Sequence, residues 1–242
     1  MAWRYDFSNQ QASVFFLDNS TPAPKRELWP AGLCFDDELI TQVTGIGAGI
    51  EALARAYQHH SNQVRIVERD RIVGPVEADG LVTGLDSFAL AVLTADCVPV
   101  AFSATGAVGI AHCGWKGIVG GILAESVKAI RELVGDPSAN VEAAVGPHIC
   151  VECYEFEGPS KAEVKKKYGD SAFRTVLASS HLDLGALISY ELSELGVSAD
   201  FTNDQCTNQT DTLNSYRGDG SELRQTSFVV KGPWLGNLMV DG

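Results

Sequence analysis

Between Ala89 and Ala111 the chain carries three short apolar runs, Ala89 to Leu93, Val98 to Phe102 and Val108 to Ala111, separated by turn-forming residues. They are rich in β-branched side chains and lack polar alternation, which predicts strands covered on both faces. Period-two or β-branched stretches at Ser13 to Leu17, Val64 to Val67, Val141 to Val145 and Thr226 to Val230 predict further strands. Helical spacing of 3–4 residues takes over at Ile118, Ile122, Leu123, Val127, Ile130 and Val134, and Gly135-Asp136-Pro137 stops it. The same spacing at Ile50, Leu53, Ala54 and Tyr57 predicts an amphipathic helix over Gly47 to Tyr57. Two more helices are expected, a charged one over Ser160 to Lys167 and an amphipathic one over Leu182 to Leu195 ended by Gly196. ADGLVTG (Ala78 to Gly84) reads as a turn-rich element, and the first forty residues, with Pro22, Pro24 and Pro30, as the one strand Ser13 to Leu17 plus loops.

Helices and strands interleave without regular βαβ units, and neither GxGxxG nor a P-loop is present. The pattern predicts a mixed α+β architecture in one domain over residues 1–242, with no linker in the middle.

Charge narrows the partners. Lys and Arg total 18 against 31 acids, a net −13. Such a surface repels phosphate backbones and anionic lipid, which argues against nucleic-acid and membrane roles and obliges any anionic substrate to find its own cluster of Arg or Lys. From Ser87 to Trp115 the single acid or base, histidine aside, is Asp96, yet Thr94, Ser103, Thr105 and several glycines break the stretch. Buried strands explain it better than a membrane span. MAWRYDFSNQQ shows no export-signal pattern, so a soluble cytoplasmic protein with reduced thiols is expected for the six cysteines.

Three residues stand out as candidate chemistry: His60 in HHSNQV, Cys97 in TADCVPV and His112 in AHCGWKG, each near the end of an expected element. Imidazole and thiolate are preferred zinc ligands, and three of them leave a fourth position open, the catalytic arrangement. A water there ionises near neutral pH and becomes a nucleophile. Their spacing matches no short metal motif, so ordinary core packing of a lone Cys and two His is the alternative. Asp96, beside Cys97, is a candidate proton carrier, ligand-orienting carboxylate or turn cap. Arg217, Arg224 and Lys116 are the candidate anion-binding residues, with solvated surface charge as the plain alternative.

The segments QHHSNQV, ADGLVT, TADCVPV, GIAHCGWKG, VGPHICVECYEF and LNSYRGDG occur in that order. Together they resemble the bacterial YfiH or laccase-domain family, whose members carry the labels multicopper polyphenol oxidase, peptidoglycan editing factor and purine nucleoside phosphorylase. The resemblance spans roughly Gly45 to Val230. It implies zinc on His60, Cys97 and His112, with copper as the alternative ion; His60 rather than His59 is matched because it precedes Val64 by four residues. It implies an α/β/β/α layering of mixed sheets with outer helices, likened to cysteine hydrolases. It lifts Arg217, which lies in the SYR motif; from the residues themselves Cys97 and His112 are the candidate catalytic pair, with Asp96 as proton shuttle should a metal-bound hydroxide attack the purine ring. The chain departs from the family pattern at Cys113, at Leu223-Arg224 and in the Gly218-Asp219-Gly220 that follows Arg217.

The activity implied is zinc-dependent purine nucleoside phosphorolysis, with adenosine deaminase and methylthioadenosine phosphorylase activities. Its partners are a purine nucleoside and phosphate, with a homodimer as the candidate assembly. A competing reading makes Cys97 the nucleophile of a hydrolase or amidase acting on a peptidoglycan precursor, activated by His60 or His112. A third is a metal-stabilised interaction domain with a closed site whose fourth ligand would be Cys113 or His148. Oxidase chemistry is disfavoured, because a multicopper cluster needs many more histidines than the five present. Cys150-x-x-Cys153 follows a Gly-Pro turn and reads as a loop near the pocket mouth with His148 and Tyr154, a redox or second-metal role being the minor alternative. Cys34 and Cys206 read as structural, Cys113 as turned away from the face of His112, and Lys165-Lys166-Lys167 as an exposed helix face.

Overall fold

The computed structural model describes residues 2–21, 29, 31–45, 49–69, 76–220 and 222–232. In chain order the first half holds β1 (Ala2–Asp6), β2 (Ala12–Leu17), β3 (Gly32–Cys34), α1 (Asp37–Thr44), β4 (Ala52–Arg55), β5 (Val64–Ile66), β6 (Gly80–Thr83), β7 (Phe88–Thr94), β8 (Val98–Ala104) and β9 (Ala107–Cys113). The second half holds α2 (Trp115–Gly120), α3 (Ile122–Val134), β10 (Glu142–Val145), α4 (Pro159–Tyr168), β11 (Phe173–Val176), β12 (Ser179–Leu182), α5 (Leu184–Glu194), β13 (Ser198–Asp200), α6 (Tyr216–Asp219) and β14 (Gln225–Lys231).

Two six-stranded mixed sheets dominate, one in the order β1-β2-β14-β7-β4-β3 and the other β13-β10-β8-β9-β6-β5, beside a β11-β12 hairpin. Three apolar clusters define the layers. One, with Val98, Val100, Phe102, Ala111 and Cys113, packs the second sheet against Ile122, Val127 and Ile130 of α3 and Leu187 and Ile188 of α5. A second lies between the sheets, where Phe16, Ala54 and Leu90 meet Leu81, Ala101 and Ile110. The third sits on the outer face of the first sheet, where Leu53, Ala89 and Phe228 cover Ile40 and Val43 of α1. The α+β, helix–sheet–sheet–helix arrangement expected from the sequence is therefore the arrangement found. Among the described residues no helix is long and apolar enough to cross a membrane.

Alternation explains how single strands serve two cores. In β9, Val108 and Ile110 face the other sheet while Ala107, Ala111 and Cys113 face the helices. Cys113 is fully buried on that helix side, as its position next to His112 predicts, and burial holds its thiol well above its ordinary value.

Three expectations need correction. The helix over Gly47 to Tyr57 is not formed in its described part: Ala52–Arg55 is β4, paired parallel to β7 and antiparallel to β3. Ala52 and Ala54 point between the sheets and Leu53 toward α1, so both faces are covered and a short apolar run satisfies either period. Gly47 and Ala48 lie outside the described residues, as do Pro22, Pro24 and Pro30. The turn-rich ADGLVTG contains β6, a buried strand with Leu81 and Val82 on opposite faces. The helix expected from Ile118 to Val134 is two helices, because Gly121 adopts φ 90°, left-handed backbone that glycine tolerates without strain. The two other expected helices, α4 and α5, fall within a few residues of their places, α5 starting at an Asp183 cap whose side chain accepts from the Ala186 N–H. Beyond these three, the first forty residues hold β1, β3 and the start of α1 besides the one strand expected there, and α6 was not anticipated.

Candidate metal centre and its cavity

Strand register brings the three candidate ligands together. β8 and β9 are antiparallel, with Val98 opposite Cys113 and Pro99 opposite His112. Cys97, one residue before β8, thus arrives beside the end of β9, although 15 residues separate Cys97 from His112 in the chain. β6 pairs with the other edge of β9, Gly80 opposite Ala111, so Asp79 stands next to His112. The His112 N–H donates to the Asp79 carbonyl at 2.7 Å. Asp79 then holds the loop that brings His60.

The Asp79 side chain is fully buried. Its Oδ1 lies 2.8 Å from His112 Nδ1 and accepts from the His60 N–H at 3.0 Å. Its Oδ2 accepts from the Ser61 N–H and hydroxyl, each at 2.7 Å. Burial alone would raise this carboxyl; the His112 and Ser61 hydrogen bonds outweigh it and hold Asp79 well below the usual carboxylate range. His60 takes φ 64°, a left-handed conformation unusual for a non-glycine residue, sustained by this anchor.

With Nδ1 committed to Asp79, His112 turns its other ring nitrogen to the cluster. The ligating atoms of His60, Cys97 and His112 lie within 4.8 Å of one another. Cys97 Sγ is 3.8 Å from His60 Nε2, and the two imidazoles meet edge to face with centroids 4.8 Å apart. Burial opposes ionisation of Cys97, yet the neighbouring His112 and His60 draw its thiol down to about 6. Burial also works against the His112 cation, while Cys97 and Asp79 push that imidazole up to about 9. Without a metal the two shifts describe a thiolate–imidazolium pair between Cys97 and His112, and an ion bound there would displace the His112 proton. Space is also reserved: a Cβ on Gly114 would come within 2.6 Å of His60 Cδ2 and 3.1 Å of Cys97 Sγ. Two nitrogens, one sulfur and a carboxylate orienting one imidazole fit zinc, and the donor set admits copper.

No fourth protein ligand joins this cluster among the described residues. Cys113 faces the helix-side core. His148 is buried elsewhere, its Nδ1 2.9 Å from the Gly146 carbonyl, and it lines a separate cavity. This placement corrects the expectation that His148 stands at the pocket mouth; Tyr154 does line the cavity of the cluster.

That cavity, about 1270 Å³, also receives Asp96, Lys116, Arg217 and Arg224, so the three candidate ligands, Asp96 and the three candidate anion-binding residues share one space. In a chain of net charge −13 its titratable lining includes four cations, Arg55, Lys116, Arg217 and Arg224, against Asp96 and Glu222. Arg217 stacks its guanidinium 4.9 Å from the Tyr154 ring centre and donates to the Glu155 carbonyl at 3.3 Å. Arg224 lies 5.9 Å over Tyr216 and Lys116 5.6 Å over Trp115. Arg55, not anticipated from the sequence, is buried in β4 and donates from Nε to the Trp29 carbonyl at 2.7 Å.

Asp96 is buried, with φ 84°. Its Oδ1 accepts from the Thr207 and Ser215 hydroxyls and its Oδ2 from the Arg217 N–H, each at 2.7 Å. The carboxylate thus anchors the segment carrying Arg217, and the orienting role considered for Asp96 belongs to Asp79. The signal for Asp79 was an acid at the head of a segment that also carries a β-strand pattern.

Comparison with known proteins places these features. The family model described as multi-copper polyphenol oxidoreductase laccase matches residues 38–231. A protein of Streptomyces coelicolor named purine nucleoside phosphorylase is 35% identical over 181 residues, covering 74% of this chain and 73% of that protein. One of Corynebacterium glutamicum with the same name is 34% identical, over 78% of this chain and 77% of that one. The crystal structure of a Neisseria meningitidis protein superposes with a TM-score of 0.77 at 23% identity, over 96% of this chain and 99% of that one.

Proposed function

The chain belongs to the multi-copper polyphenol oxidoreductase laccase family, and from this premise we propose that it is a metal-dependent purine nucleoside phosphorylase. The reaction splits the bond between ribose and base with inorganic phosphate. Adenosine, inosine and methylthioadenosine are the proposed substrates.

One observation carries the reading: a single cavity joins the His60–Cys97–His112 cluster to cationic side chains and aromatic faces. A purine offers a flat π-face for stacking, which Tyr216, Tyr154 and Trp115 can meet. Phosphate calls for charge-assisted donors, which Arg217, Arg224 and Lys116 provide inside an otherwise acidic chain. Asp96 fixes the backbone of Arg217, so that its guanidinium stays on Tyr154 and faces the cavity. His60, Cys97 and His112 would hold the ion, and Asp79 keeps His112 in the tautomer that leaves its outer nitrogen to bind. Zinc bound there would supply Lewis acidity at an open coordination position.

A second reading, removal of the 6-amino group of adenosine, is favoured by the donor set, since a His/Cys centre with room for a reactant suits hydrolysis at a purine carbon. The experiment is a titration of inosine, adenosine and methylthioadenosine against the purified protein, with and without phosphate. Free base appearing only with phosphate is the expected result. Ammonia from adenosine without phosphate would establish the second activity. Absence of turnover on all three would overturn the proposal.

A further inference from the structure

A second group of soft ligands lies outside the His60–Cys97–His112 cluster. Cys150, Cys153 and Cys206, separated by 56 residues at the widest, bring their sulfurs within 4.8 Å of one another, and none is disulfide-bonded. We propose that these three thiols form a second metal site that takes a soft divalent cation of the zinc type.

The backbone prepares the site. Val151–Cys153 is one turn of 3₁₀ helix, closed by the Cys153 N–H on the Cys150 carbonyl at 3.1 Å. A C-x-x-C in so tight a turn sets both sulfurs on one side, the knuckle arrangement that zinc sites use. Cys206 is held beside this turn by backbone pairing with the residues just before it, His148 N–H to the Gln205 carbonyl and Thr207 N–H to the His148 carbonyl, both 3.0 Å, across a parallel bridge. The three sulfurs therefore converge from two pieces of chain, distant in sequence, that this bridge holds together. Zinc–sulfur bonds of about 2.3 Å in a tetrahedron put sulfurs roughly 3.8 Å apart, a small closure from the spacing present.

Donors already point at the sulfurs. The Cys150 N–H lies 3.3 Å from Cys206 Sγ, and Gln209 Nε2 lies 3.4 Å from Cys153 Sγ. Such bonds are strongest when the sulfur carries negative charge, as a metal-bound thiolate does. The sulfurs are half-buried, and Cys150 also borders a cavity of about 380 Å³ that offers an ion a way in.

The site would act as a staple. It ties the segment of Ile149, whose N–H donates to the Asp96 carbonyl at 3.0 Å, to the segment of Thr207, whose hydroxyl donates to the Asp96 carboxylate. Asp96 in turn lines the cavity that carries Tyr154 and Arg217.

The test begins with Cys97→Ser protein, which lacks one ligand of the first site, reconstituted with Co²⁺ under reducing conditions. One tightly held equivalent with intense thiolate-to-cobalt charge-transfer absorption is expected, and its loss on adding Cys150→Ser and Cys153→Ser. Because those variants can misfold, the wild-type protein is also alkylated with iodoacetamide with zinc and after chelation. Protection of Cys150, Cys153 and Cys206 by zinc, lost together on chelation, supports the site. Equal labelling in both conditions, a disulfide among these cysteines in freshly purified protein, or a Cys97→Ser protein without bound cobalt would overturn it. None of these readouts depends on nucleoside turnover, so the two proposals fail separately.

Discussion

Asp79 Oδ1 sits 2.8 Å from His112 Nδ1 inside the second sheet, and the same oxygen accepts the His60 backbone N–H. One buried carboxylate therefore orients one ligand through its ring and the other through its main chain. Its replacement by asparagine keeps the shape but removes the charge and turns an amide toward donors. Metal affinity of Asp79→Asn should fall by about 10–100-fold, the usual scale for a lost supporting carboxylate, as read by competition with a chromophoric chelator. Unchanged affinity would show that His112 is held without it.

Gly114 tests the geometry from the other side. In Gly114→Ala the new methyl would meet the His60 ring and the Cys97 sulfur. The variant should fold, with a circular dichroism spectrum like the wild type, and bind zinc at least about tenfold more weakly. Wild-type affinity would mean that the imidazole of His60 is not a ligand.

Cys97 provides a pH prediction. Its thiol in metal-free protein is drawn down to about 6 by His112 and His60 against the effect of burial. The lowered value means that the reactive thiolate is lost as pH falls through 6 and dominates above it. Iodoacetamide labelling of Cys97 after chelation should therefore rise with pH around a midpoint near 6, and zinc should suppress it at every pH. A midpoint near the ordinary thiol value would contradict the effect of His112 and His60, and rapid labelling with zinc bound would show that Cys97 is not a ligand.

The folding pattern was legible wherever an element had one dominant face or a clear stop. α3 ends at Gly135 and α5 begins after Asp183, as their residues dictate. The longer strands covered on both sides, β7, β8 and β9, were legible as apolar runs between turns, whereas the short Ala52 to Arg55 and Gly80 to Thr83 were not, because they owe their strand form to neighbours far along the chain. Short edge pieces such as β1, β3 and the β11-β12 hairpin carry too few residues to show a period. At the site, His60, Cys97 and His112 were visible as residue types, and the motifs around them gave the resemblance. Their meeting depends on strand register, which residue spacing does not display. Asp79 was missed because a supporting carboxylate looks like any turn acid, and Cys206 because its two sulfur partners lie far earlier in the chain.

Arg217 should separate binding from catalysis. Arg217→Gln keeps some hydrogen bonding but loses the charge, so KM for phosphate should rise by about tenfold or more while kcat moves less. Asp96→Asn, which weakens the anchor of the Arg217 backbone, should shift KM in the same direction by a smaller factor. Steady-state kinetics with phosphate as the varied substrate reads both. A fall in kcat at unchanged KM would move Arg217 away from phosphate binding.

The two sheets are also joined by Glu142 of β10, which accepts from the Tyr5 hydroxyl of the edge strand β1 and from the Ser8 N–H at 3.0 Å. Burial opposes the Glu142 carboxylate, but Ser8 and Tyr5 outweigh it and lower its pKa from the ordinary 4.5. A lowered carboxylate contributes stability that is present above pH 4.5 and is lost as pH falls through the folded-state value. Glu142→Ala should cost about 1 kcal/mol in urea unfolding at neutral pH, with the gap from wild type closing in acid. A gap independent of pH would remove the ionised form from the account.

The most direct test of the account is base release from inosine, with phosphate present, measured on wild-type and Cys97→Ala protein alongside their metal content. Loss of zinc at the His60–Cys97–His112 centre with a fall in turnover of about 100-fold or more is predicted, the scale of losing a Lewis acid from a reacting centre. Wild-type turnover in Cys97→Ala would contradict it, and would take the metal out of the reaction.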